Sequence, residues 1–287
     1  MRRVLPFLLV ALTAGCRTPS AAGAPSAACL SEAQLRQVEE RARHIVTSER
    51  GAIRASDLLM ARADLDASRV RMFFTVSRGN AWYAVFGKLE APGPFVPAYA
   101  YRAPLEFSDQ MEAFPVESLP EGLDAVARAV STATERTFQA HGRRQLNPVV
   151  FEEDGGLTVY VLQGFGNVDF YLLGGDFRFR FSADGRTLRQ EEPLHPGIIP
   201  VAAQRTGPDA PAHVSMHTHE LHPGPLETEL AQVMLYPEFG GQVVSTEGHV
   251  CAYVFTPEGT VHTVDLKRDA PPRMPPPDAA PPPAETL

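Results

Sequence analysis

Residues 177–181 read Phe-Arg-Phe-Arg-Phe, a strict alternation of aromatic and cationic side chains. In an extended chain successive side chains point to opposite faces, so this run specifies a strand with its aromatic face turned inward and both arginines facing water. Other runs repeat the strand signal. Residues 70–76 and 81–89 are β-branched and aromatic and flank Ser77-Arg78-Gly79-Asn80, a hairpin signal. Residues 157–163 and 168–173 are expected to pair across Gly164-Phe165-Gly166-Asn167, and Asp184-Gly185 turns the chain into 187–191. A strand is expected around 99–107, and four more at 213–218, 242–246, 250–255 and 260–266.

Three helices interrupt the strands. Ser31-Glu32-Ala33-Gln34 is a capping box, and Leu35, Val38, Ala42 and Ile45 follow at helical spacing to about Ser48. A second helix opens at Pro120 and stops at Gly142, and a third covers 226–236. The fold class is therefore α+β, a largely antiparallel sheet with two or three packing helices. Residues 30–154 form an N-terminal α+β part and 155–268 a C-terminal one.

Neither end of the chain has the composition of a core. Residues 17–28 are small and rich in Pro, Gly and Ser, and 269–287 hold eight prolines in nineteen positions. The first is a tether and the second a solvated tail. With 26 Lys+Arg against 34 Asp+Glu the formal charge is -8, and no basic cluster lies outside the extreme N-terminus, which argues against nucleic acid.

That N-terminus carries an address. Arg2 and Arg3 precede a short apolar run over 4–12, followed by Thr13-Ala14-Gly15-Cys16. The run is too short to span a bilayer and has the layout of an export signal. Cysteine directly after Ala-Gly resembles the lipobox of bacterial lipoproteins, with Thr13 departing from the usual leucine; the alternative is an ordinary cleaved signal. The resemblance implies cleavage after residue 15, acylation of Cys16 and stable membrane anchoring. Arg17, where an aspartate would retain the protein in the inner membrane, implies the outer membrane of a Gram-negative envelope. The expected partners are the lipid bilayer and an unidentified envelope protein or peptide.

Lipidation of Cys16 leaves Cys29 and Cys251. In an oxidising compartment they read either as a disulfide or as two unpaired thiols, because sequence does not fix their separation.

Four of the nine histidines, His213, His217, His219 and His222, fall within ten residues. On a strand the His217-Thr218-His219 pair projects two imidazoles from one face, within reach of one divalent cation. Glu227 and Glu229 begin the next helix, where the dipole favours a carboxylate, and Glu229 could be a third ligand. Two nitrogens and one oxygen would leave a fourth zinc position open. The competing reading is a solvated strand face.

The order of His-x-His strand, loop, acid-led helix and further strands resembles the JAMM (MPN-type) metallopeptidase core over roughly residues 155–266. The likeness implies His217 and His219 as zinc ligands and a catalytic glutamate on an earlier strand, which by order alone is Glu191 or Glu192. Glu227 stands where that family has a serine and Leu230 where it has its aspartate ligand, with Glu229 the nearest acid. These departures put catalysis in doubt before the fold. The "GGDFRF…DGRT" strand pair followed by "HTH" and an acid-Thr-acid step is also similar to uncharacterised bacterial proteins, a likeness that carries no activity. Two functions therefore stand side by side: an envelope lipoprotein that acts by binding, and a zinc-dependent amide or isopeptide hydrolase.

Overall fold

The computed structural model describes residues 29–90, 93–164, 170–202, 214–222, 224–246 and 251–266. The export signal, Cys16, the tether, His213 and the Pro-rich tail lie outside the described residues. The architecture is α+β, with three α-helices and fourteen strands among them.

Helix α1 (Glu32–Met60) begins at the capping box, Ser31 and Gln34 each bonding the other's backbone. It runs twelve residues past its expected end, because Ala52, Ala55 and Leu59 continue the buried stripe seven, ten and fourteen positions after Ile45. Four strands follow as an antiparallel meander: β1 (Met72–Arg78), β2 (Ala81–Leu89), β3 (Phe95–Pro104) and the short β4 (Glu112–Phe114). Helix α2 (Leu123–His141) leads to β5 (Leu146–Glu153), β6 (Gly156–Gln163), β7 (Phe170–Gly174), β8 (Phe177–Ser182) and β9 (Leu188–Pro193). The main sheet has the order β4-β3-β2-β1-β5-β6-β8-β9. It is two antiparallel meanders joined at their first strands by one parallel bridge, Thr75 with Val149.

The expected hairpin between 157–163 and 168–173 does not form. Strand β6 pairs with β5 and β8, while β7 pairs with β10 (Ile198–Ala202) in a separate two-stranded sheet. The β5–β6 connection is Asp154-Gly155, both at positive φ (51° and 65°), the two-residue turn whose twist matches antiparallel strands. That tight turn fixes the register of β6 against β5.

The C-terminal section is β11 (Val214–His219), α3 (Glu227–Leu235), β12 (Gly241–Thr246), β13 (Cys251–Phe255) and β14 (Val261–Asp265). These strands form a four-stranded sheet in sequence order. Strand β11 runs parallel to β12 and α3 is the crossover; the remaining pairs are antiparallel.

The two faces of the main sheet are covered differently. Helix α2 closes one face over Phe74, Val76, Val159, Phe179 and Phe181. On the other, α1 packs Ala42, Ile45 and Val46 against Val149, Tyr160 and Leu162, in one cluster with Leu230 of α3 and Tyr253 and Phe255 of β13. Trp82 belongs to a third cluster with Leu59, Phe86 and Tyr99. Cys29 and Cys251 are bonded as a disulfide with a Cα separation of 5.6 Å, tying the approach to α1 to the C-terminal sheet.

Candidate metal centre

Strand β11 is an edge strand whose side chains alternate. Val214, Met216 and Thr218 are exposed, while Ser215, His217 and His219 turn inward toward α3. Glu229, in the first turn of α3, is wholly buried beneath them. Its Oε1 lies 2.6 Å from His217 Nε2 and 2.9 Å from His219 Nε2, and the two imidazole nitrogens are 3.2 Å apart. The three ligands expected from sequence are brought together.

A fourth joins them. His195, buried in the β9–β10 connection, places Nε2 2.8 Å from the same carboxylate oxygen. One ligand atom from each of His195, His217, His219 and Glu229 lies within 4.8 Å of the others, and the group could hold a metal ion.

His219 Nδ1 lies 2.8 Å from the Gly224 carbonyl, which can only accept, so Nδ1 carries the proton. With Nδ1 donating to Gly224, Nε2 is the His219 atom that faces the Glu229 oxygen and His217. Glu229 Oε2, His195 Nδ1 and His217 Nδ1 are buried with no hydrogen-bond partner among the described residues, which asks for an ion or a water. A cation at the shared focus would give the converging Nε2 and Oε1 atoms a common partner. A tetrahedral ion with bonds of about 2.0–2.1 Å separates its ligand atoms by about 3.3–3.4 Å; the His217–His219 pair at 3.2 Å is near this, while Glu229 Oε1, at 2.6–2.9 Å from the three imidazoles, has to draw back by about half an ångström to admit one. Burial alone would raise the Glu229 carboxyl; hydrogen bonds from the three imidazoles outweigh it and hold the group well below the usual carboxylate range.

The surroundings are charged and satisfied. Glu227, two residues before Glu229, accepts from Tyr160 Oη and from Arg178 Nη1 at 2.9 Å, and lies 3.4 Å from Arg41 Nε. Arg41 also grips Glu153 through two nitrogens at 2.7 and 3.1 Å. This network fixes the first turn of α3, whose N-cap residue Leu226 offers no side-chain bond. It also corrects the expectation that both arginines of β8 face water. Arg180 is exposed, but Arg178 is half-buried under α3, bonding Glu192 through two nitrogens at 2.9 Å each besides Glu227.

That pairing places the two acids expected as the catalytic base. Glu192 is held by Arg178, and Glu191 lies 3.8 Å from Arg136. Neither belongs to the four-residue group. The acid nearest in effect is Asp176, in the turn between β7 and β8. Burial pushes its carboxyl up to about 7, with the Glu229 charge adding to the rise and His195 opposing it. His222 stays outside, with Nε2 3.2 Å from the Pro193 carbonyl.

His195 escaped the sequence reading because it stands alone, twenty-two positions before His217. Ligands on one strand or one helix turn leave a local spacing, whereas a ligand delivered by a loop from another sheet leaves none. Comparison of the chain with protein-family models, with curated proteins and with solved structures finds no match.

Proposed function

We propose that this chain is an exported lipoprotein anchored through acylated Cys16, whose domain is a binding module for an envelope protein or peptide. In this reading the module is built around one zinc ion at His195, His217, His219 and Glu229. The observation that carries the metal is the convergence of four buried ligand atoms from three separate segments on one point. Three imidazoles and one carboxylate suit zinc, whereas calcium and magnesium take oxygen. Four protein ligands fill a tetrahedral ion, which is the pattern of structural sites. Bound there, the ion would supply a positive charge that ties the β9–β10 connection to β11 and α3.

A second reading, the zinc-dependent amide or isopeptide hydrolase, is favoured by one observation: β11, α3 and β12 form a parallel strand-helix-strand unit with the His pair on the first strand and the acid at the helix start. It requires an open coordination position with a base beside it. His195 takes the position that three ligands would have left open, and Glu192 is engaged by Arg178. The binding reading therefore stands first.

Elemental analysis of oxidised protein lacking residues 1–16 is expected to find one zinc per chain, lost in His217→Ala and in His219→Ala alike. No bound metal in the parent protein would overturn the centre. Chelator-sensitive cleavage of an isopeptide substrate would overturn the non-catalytic reading. Among the described residues no helix is long and apolar enough to cross a membrane. Cys16→Ala is thus expected to move the protein to the soluble fraction, and salt-resistant membrane association of that variant would refute the anchor.

A further inference from the structure

The disulfide and the metal centre are separate in sequence but meet through one residue. Leu30 follows Cys29 directly and precedes the helix cap, so it belongs to no element of its own. Its amide donates to Tyr253 Oη at 3.0 Å, and Tyr253 lies two residues after Cys251 on β13. The Leu30 side chain then covers Gly224 so closely that a Cβ there would lie 2.8 Å from Leu30 Cδ1 and 3.3 Å from Cγ. Any larger residue at 224 would push the end of the Leu30 side chain aside. Gly224 in turn supplies the carbonyl that accepts from His219 Nδ1 at 2.8 Å and so presents His219 Nε2 to the centre. An unbroken contact path runs from the Cys29–Cys251 bond through Leu30 and Gly224 to a ligand.

We propose that the Cys29–Cys251 disulfide controls the metal affinity of the His195, His217, His219 and Glu229 centre, so that tight zinc binding is confined to the oxidised protein. The inference rests on the metal reading given above. With the bridge closed, Leu30 is pinned between Tyr253 and Gly224, and the Gly224 carbonyl stays aimed at His219. A dithiol reductant opens the bridge by thiol–disulfide exchange: two electrons and two protons pass to Cys29 and Cys251 as the S–S bond breaks, and the reductant becomes a disulfide. Residues 29 and 30 then lose their covalent hold, and the Gly224 carbonyl loses the side chain that backs it. Partners that orient a metal-bound histidine contribute about 10–100-fold to affinity, which sets the scale of the change. Linkage makes the effect reciprocal, so zinc should make the disulfide harder to reduce by the same factor.

The test measures zinc affinity by competition with a chromophoric chelator in four forms: oxidised parent, dithiol-reduced parent, Cys29→Ser/Cys251→Ser, and Leu30→Gly with the disulfide intact. The double variant has no thiols to capture zinc, so it separates loss of the bridge from new thiolate ligation. Expected is a fall of about 10–100-fold in both the double variant and Leu30→Gly relative to the oxidised parent. Should the double variant not fold, the dithiol-reduced parent and Leu30→Gly decide together, the first by opening the bridge and the second by removing the contact that the bridge holds in place. Equal affinity in oxidised parent and Leu30→Gly, within twofold, overturns the proposal while leaving the metal centre standing. Failure of the oxidised parent to bind zinc at all overturns the metal reading itself.

Discussion

The two faces of the eight-stranded sheet solve the same problem by opposite means. Beneath α2 the contact is dominated by aliphatic and aromatic side chains, from Phe74 and Val126 to Phe179 and Phe181. Beneath α1 and α3 it contains a disulfide, two arginines, the buried acids Glu49, Glu227 and Glu229, and the histidine group. Burial of apolar surface is non-directional and tolerates sliding. A buried charge holds only when its partners stand at the right distance and angle, because an unpaired one is costly. Both faces therefore bury an apolar cluster, and the α3 face adds directional geometry to it. Edge strand β11, which exposes Val214 and Met216, is located by directional bonds, whereas α3 also buries Leu230, Ala231 and Val233 in the apolar cluster beside them.

The contrast should break most visibly under reduction. The Cys29–Cys251 bond spans 222 residues, so its opening is expected to cost about 5 kcal/mol in the chain-entropy model, read as a lower denaturation midpoint. A midpoint unmoved by reductant would show that the α3 face is held without it. Phe179→Ala, at a fully buried position on the α2 face, should cost about 4 kcal/mol. That loss should be the same in oxidised and reduced protein, because independent regions add within about 0.5 kcal/mol. Strong non-additivity would mean that the two faces are one cooperative unit.

Arg178→Met probes the charged side. It leaves Glu227 and Glu192 without their shared cation at an expected cost of about 3 kcal/mol, part of which Glu227→Gln added to it should restore. Thermal unfolding of the single and double variants measures both. The last effect has the opposite sign. Glu49 is buried, and burial raises its carboxyl from 4.5 to about 7 despite a 2.8 Å bond from Asn147. The folded protein keeps this proton where the unfolded chain has already released it. The stability this group confers is thus complete below pH 4.5 and lost as the pH rises through 7. Glu49→Gln is expected to raise stability by about 3 kcal/mol at pH 8 and to change little at pH 4. Equal effects at both values would remove the titration argument.

Local physics was legible in the sequence, and assembly was not. The capping box at Ser31, the inward turn of Phe177, Phe179 and Phe181, and the shared face of His217 and His219 each follow from two or three neighbouring residues. The group at Glu229 was reachable because its distance to the His pair is short in sequence as well as in space. Arg178 reads as solvated from its own strand, and only the arrival of α3 over that face makes it a buried partner of Glu227. Glu192 looked like a base by its order in the chain, but two bonds from Arg178 claim it. His195 and the partners of β6 depend on which strands meet, a property of the whole chain that no window of residues contains.

The Cys29–Cys251 bond also imposes an order on biosynthesis. A ribosome delivers the N-terminus first, and at about 5–20 residues per second the 222 positions between the two cysteines take roughly 10–40 s to follow. Throughout that interval Cys29 is a nascent thiol with no native partner, free to form mixed disulfides with whatever oxidant or chaperone attends the chain. The first helix to be made is thus the last to be fastened, and the yield of correctly closed protein depends on how well that waiting sulfur is guarded.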